Sequence, residues 1–128
     1  MKIIILGTAH LKSTFGKCSP DKKFYEYLYS RELVKYIKNL LEKSGYKVFV
    51  DIPEGDLKLT QNQELLKRVT FVNDVCKIYG TNNCIYVSIH VNAAGNGSQW
   101  MNATGWECYT TKGKTKSDKL AECLYKSA

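Results

Sequence analysis

Apolar positions recur along this chain in two rhythms. Lys2-Ile3-Ile4-Ile5-Leu6-Gly7 and Ile85-Tyr86-Val87-Ser88-Ile89 are short runs dominated by β-branched and apolar residues, the composition of buried strands. Tyr46-Lys47-Val48-Phe49-Val50 reads as a further strand. Between them the spacing is helical. From Phe24 onward, Leu33, Tyr36, Ile37, Leu40 and Leu41 form one apolar stripe, with Gly45 as its stop. Thr60-Gln61-Asn62-Gln63 has the form of a capping box, and the helix it opens carries Leu66, Val69, Val72, Cys76 and Tyr79 as its stripe and ends at Gly80. Trp106 to Thr111 reads as a fourth, more polar strand at an edge. Ser117 is positioned to cap a last helix with Leu120, Ala121 and Leu124 turned inward.

The resulting order, β-α-β-α-β-β-α, predicts an α/β fold: a single-domain, twisted, largely parallel sheet with helices on both faces. A chain of 128 residues makes one domain, spanning 1–128, and is long enough to bury a core without staples. Its last residues fall in a helix with no strand after it, so the expectation is a domain truncated at its C-terminus.

Composition narrows the class. Hydrophobic residues make up 44%, which argues against disorder. The net charge of +7 suits an acidic partner, either nucleic acid or an anionic cell envelope, or simply a solvated lysine-rich face. The lysines are scattered and no recognition motif accompanies them, so no nucleic-acid partner is expected. The five cysteines are odd in number and contain no C-x-x-C pair, which argues against a disulfide framework and against a zinc knuckle. The first apolar run is broken at Gly7, too early for a signal-peptide core, and no transmembrane run follows. Synthesis in the cytoplasm without a signal peptide, no membrane insertion and a monomeric state are the corresponding expectations.

The two histidines of the chain share one setting: His10 and His90 each stand where an apolar strand runs out into a loop. In open α/β sheets that is where ligands bind. Two imidazoles and a carboxylate would make a three-ligand zinc site with a position left open. Glu26, at the start of the first long helix between Phe24-Tyr25 and Tyr27, is the first candidate for the carboxylate, and Glu32 is its rival. Unrelated structural histidines, and a Glu26 that merely serves the helix dipole, are the plainer alternatives.

Four segments carry a resemblance. An apolar strand enters Gly7-Thr8-Ala9-His10, with Gly16-Lys17-Cys18-Ser19-Pro20 behind it. Glu26 precedes Ser30-Arg31-Glu32-Leu33, and the helix closes on Lys43-Ser44-Gly45-Tyr46. Leu65-Leu66-Lys67-Arg68 precedes Val72-Asn73. Val87-Ser88-Ile89-His90-Val91-Asn92-Ala93 leads to Gly105-Trp106-Glu107-Cys108-Tyr109. In this order they resemble the zinc-dependent N-acetylmuramoyl-L-alanine amidases of bacterial and phage cell-wall lysins.

The resemblance implies that His10, Glu26 and His90 hold Zn2+ and that the substrate is peptidoglycan. The reaction would be hydrolysis of the amide between N-acetylmuramic acid and L-alanine. The family's second glutamate, its general base and acid, would lie beyond Ala128. A zinc-containing peptidoglycan-binding module, or an inactive relic without turnover, is the alternative. Glu107 and Glu32 are weaker stand-ins for that glutamate. Asn92 is a candidate substrate-binding residue, set against a turn-forming role. Arg68 is expected to pair with Glu32 or Asp74 or to be solvated. Trp100 and Trp106 are candidates for stacking on a sugar, and Cys18 for a fourth metal ligand.

Overall fold

The computed structural model describes all residues from Met1 to Ala128. Its elements in chain order are β1 (Ile3–Thr8), α1 (Glu26–Lys43), β2 (Lys47–Val50), α2 (Gln61–Tyr79), β3 (Cys84–Ile89) and α3 (Lys116–Ser127). The strands form one parallel sheet in the order β2-β1-β3. The strand made first is therefore the middle one, and all six of its residues are buried.

Alternation along β1 divides the core between two faces. Ile4 and Leu6 pack with Val34 of α1 and Val48 of β2 on one side. Ile3 and Ile5 pack with Val75 of α2 on the other. Both faces are covered, which is why the strands read as continuous apolar runs rather than as an alternation.

Both long helices keep only part of their expected stripes against the sheet: Ile37 and Leu41 in α1, and Val72, Cys76 and Tyr79 in α2. In α1 the buried residues are Glu26, Ser30 and Val34, with Ile37 and Leu41 continuing onto the sheet, whereas Tyr36 and Leu40 are exposed. In α2 the sheet receives Phe71, Val72, Val75, Cys76 and Tyr79, and Leu66 and Val69 face outward. The cause is common to both. The N-terminal half of each helix turns buried polar groups toward the strand exits (Glu26 and Ser30 from α1, Glu64 from α2), so the apolar stripe begins later than the hydrophobic pattern suggests.

The helix ends follow local chemistry. Gly45 adopts φ 86°, and the N–H groups of Gly45 and Tyr46 return to the carbonyls of Glu42 and Leu41, a Schellman closure. Thr60 and Gln63 form the reciprocal capping box. The last helix is capped by Thr115 rather than Ser117: Asp118 accepts the Thr115 N–H at 2.7 Å.

Residues Trp106–Thr111 form no strand. Strand propensity needs a neighbour with free hydrogen-bonding groups, and this segment instead spends its polar groups locally, Thr110 Oγ1 on Asp118 at 2.7 Å among them. None of α3 is buried, Leu120, Ala121 and Leu124 included. It meets the preceding loop through Trp106 stacked on Tyr125, ring centroids 5.4 Å apart. No helix is long and apolar enough to cross a membrane.

Candidate metal centre

The sheet topology brings the two histidines together. β1 and β3 are neighbours, paired in register up to Thr8 and Ile89. His10 and His90 follow these last partners at the same end of the sheet, and their rings lie 5.0 Å apart at 80°. Glu26 is the first residue of α1 and points at both. Its Oε1 is 3.1 Å from His90 Nδ1 and its Oε2 is 3.8 Å from His10 Nε2. The backbone N–H of Val91 also donates to Oε1, at 3.0 Å, so the carboxylate is fixed from the β3 side. One donor atom from each of His10, Glu26 and His90 lies within 4.8 Å of the others.

The electrostatics match the geometry. Burial, opposed by the nearby Glu26 carboxylate, holds the His10 imidazole below its ordinary value of 6.5. Burial pushes Glu26 upward, but the hydrogen bonds from His90 and the Val91 N–H, with the charge of the two imidazoles, leave it below the usual carboxylate range. The pocket thus favours a neutral imidazole and an ionised carboxylate, the forms in which these groups bind metal. Nitrogen and oxygen donors around a tetrahedral zinc stand roughly 3.4 Å apart; each Glu26 oxygen stands near that distance from a different imidazole, Oε1 at 3.1 Å from His90 and Oε2 at 3.8 Å from His10. The donor set fits zinc.

His10 has φ 32°, left-handed backbone that a histidine seldom adopts. Such a conformation persists only where the surroundings impose it. Here they do so residue by residue. Thr8 donates its N–H to Asp51 Oδ1 at 3.0 Å and its hydroxyl to the Ile52 carbonyl at 2.8 Å. Ala9 gives its N–H to Ser30 Oγ at 2.8 Å, and its carbonyl accepts from Arg31 Nη1 at 2.8 Å. Behind His10, Leu11 donates its N–H to Thr14 Oγ1 at 3.2 Å, and Thr14 in turn donates to Glu64 Oε2 at 3.1 Å.

Asp51, at the exit of β2, is the hub of this support. Its side chain is fully buried, and it receives Arg68 Nη1 at 2.7 Å and the Tyr86 hydroxyl at 2.9 Å. Arg68 also binds Glu64, with Nη2 at 2.8 Å from Oε1. Its partners are therefore Asp51 and Glu64 rather than Glu32 or Asp74; Asp74 pairs with Lys77.

The other candidates lie outside the cluster. Glu32 lines a shallow surface groove with Tyr29, Leu33 and Tyr36. Cys18 forms a short bridge with Tyr25 and is not among the clustered donors. Asn92 is exposed, and its Nδ2 donates to Glu107 Oε2 at 3.0 Å. Glu107 also accepts from the Tyr109 hydroxyl. Trp100 is exposed, and Trp106 faces Tyr125.

Sequence reasoning did not single out Ser30 or Asp51 for a role. Ser30 stands one helical turn after Glu26, and Asp51 follows directly on an apolar strand. Those positions were the available signals.

No curated protein matches the chain. Among solved structures it is similar to the CwlD amidase from Clostridioides difficile, determined in complex with the GerS lipoprotein. The identity is 23% and the TM-score 0.71, with 98% of this chain and 64% of that chain covered. The chain thus spans about two thirds of that protein's length, and the likeness establishes a shared fold. The family model for N-acetylmuramoyl-L-alanine amidase matches residues 4–128, nearly the whole sequence. The chain belongs to the N-acetylmuramoyl-L-alanine amidase family.

Proposed function

We propose that this chain carries the metal centre of a zinc amidase that hydrolyses the bond between N-acetylmuramic acid and L-alanine in peptidoglycan. The observation that supports this most directly is the convergence of His10, Glu26 and His90 from two strand exits and a helix start onto one point. These three residues would hold the zinc. When bound there, zinc supplies a Lewis acid that activates water near neutral pH and polarises the scissile carbonyl.

Other residues of the chain orient the site. Val91, through its N–H, holds Glu26 in the orientation that serves both imidazoles. Asn92, exposed and two residues after His90, is the residue proposed to contact substrate. Glu107 is engaged by Asn92 and Tyr109, and Glu32 faces its own groove, so neither is given a proton-transfer role. The basic charge of +7 favours association with an anionic wall.

The test is metal content together with hydrolysis. The purified protein should contain one zinc per chain and release new L-alanine amino groups from isolated peptidoglycan, and both should be lost on chelation or in His10→Ala and His90→Ala. Absence of bound zinc, or its full retention in either variant, overturns the reading. Cosedimentation with cell wall without release of amine would replace it with zinc-dependent binding.

A further inference from the structure

We infer that Ser30 is the positioning residue of the metal centre: its hydroxyl sets the separation of the three metal-binding side chains. The inference rests on the zinc reading above and concerns how the site is held. The β1–β3 ladder ends at Thr8 and Ile89, so regular pairing stops just short of both histidines. The next connection between the two strand exits runs through Ser30. Its Oγ accepts the Ala9 N–H at 2.8 Å and donates to the Ile89 carbonyl at 2.7 Å. Ala9 immediately precedes His10, and Ile89 immediately precedes His90. Ser30 itself stands one turn after Glu26 on the same buried stripe of α1. One hydroxyl thus joins the three elements that supply the three donors.

The chemistry suits this position. A serine hydroxyl has one proton to give and lone pairs to accept with, so it can bridge an N–H and a C=O at once. Ser30 is completely buried, so its hydroxyl bonds only within the protein. Arg31, the next residue, holds the Ala9 carbonyl but does not reach β3, so it fixes one exit and not the distance between the two. Groups that orient metal ligands from behind typically contribute 10- to 100-fold to metal affinity.

The experiment measures zinc affinity by competition with a chromophoric chelator, alongside the denaturation of the metal-free protein. Ser30→Ala should weaken zinc binding by about 10- to 100-fold. Ser30→Cys, of similar volume and with a weak donor, should fall between that and the native protein, and it serves in place of Ser30→Ala if the latter does not fold. Val75→Ala, in the core on the opposite face of the sheet with Ile3 and Ile5, removes packing away from both exits. It should lower stability while leaving zinc affinity within about twofold of native. Unchanged affinity in the Ser30 variants, or an equal loss in Val75→Ala, overturns the assignment. Failure of the native protein to bind zinc would count against the metal reading itself.

Discussion

Arg68 Nη1 lies 2.7 Å from Asp51 Oδ2, and the Asp51 side chain has no exposure to solvent. A charge in that situation is tolerable only with its partner in place. Removing one side of a buried ion pair typically costs about 3–5 kcal/mol. Arg68→Ala is expected to lower unfolding free energy by that amount in urea denaturation. Lys77→Ala, which breaks the exposed pair with Asp74, should change it by no more than about 0.5 kcal/mol.

Tyr86 gives the same network a spectroscopic reporter. Burial, then the neighbouring Asp51 carboxylate, pushes its hydroxyl up to about 12. An absorbance titration at tyrosinate wavelengths should show a step near 12 that disappears in Tyr86→Phe, beside the smaller upward displacement of Tyr109 caused by its hydrogen bond to Glu107. The folded value exceeds the unfolded value of 10.0, so the unfolded chain loses this proton first as pH rises. The stabilisation is complete below pH 10 and drains away between about 10 and 12. A Cβ on Gly7 would meet the Tyr86 hydroxyl oxygen at 2.4 Å. Gly7→Ala should therefore displace Tyr86 from Asp51, shift the late titration toward the ordinary range, and cost about 1–3 kcal/mol.

Metal should act on stability as well as on turnover. Zinc held at a free concentration about 1,000 times its Kd stabilises the folded state by about 4 kcal/mol, a rise of about 10 °C in Tm for a chain of this size. Glu26→Gln keeps the shape of the side chain and removes its charge. The zinc-induced rise should shrink to a few degrees in that variant, as read by calorimetry with and without chelator.

The grouping of His10, Glu26 and His90 was legible in the sequence because each lies at a boundary. His10 and His90 interrupt apolar runs where strands end, and Glu26 stands in an aromatic setting where a helix begins. The strand order, which the pattern did not specify, then made β1 and β3 neighbours. The supporting network was less legible. Arg68 finds Asp51 across 17 positions, a pairing no local pattern marks, whereas Glu64, four residues earlier on the same helix, carried an i,i+4 signal that sequence reasoning passed over. The polar start of each buried face was hidden for a related reason: Ser30 and Glu64 look like surface residues until their buried partners are known. Trp106–Thr111 failed as a strand because composition reports a taste for pleated surfaces, while pairing requires a neighbour.

The same segment makes α3 the least anchored helix. None of its residues is buried, and the stack of Trp106 on Tyr125 is its main aromatic contact. Amides of α3 should exchange with deuterium far faster than those of β1, and Trp106→Ala should speed them further. A stack of this kind contributes about 0.5–1.5 kcal/mol, a factor of roughly two to ten in local opening. Protection of α3 equal to that of β1 would contradict this.

The middle place of β1 in the sheet has a consequence for biosynthesis. Its apolar residues leave the ribosome before either flanking strand, and the second of those, Cys84–Ile89, is the last of the three to be made. At about 5–20 residues per second, the interval from Ile3 to Cys84 is about 4–16 s. Throughout it Ile3-Ile4-Ile5-Leu6 is a sticky segment with a missing neighbour, and that is the window in which a chaperone, or aggregation, competes for the nascent chain.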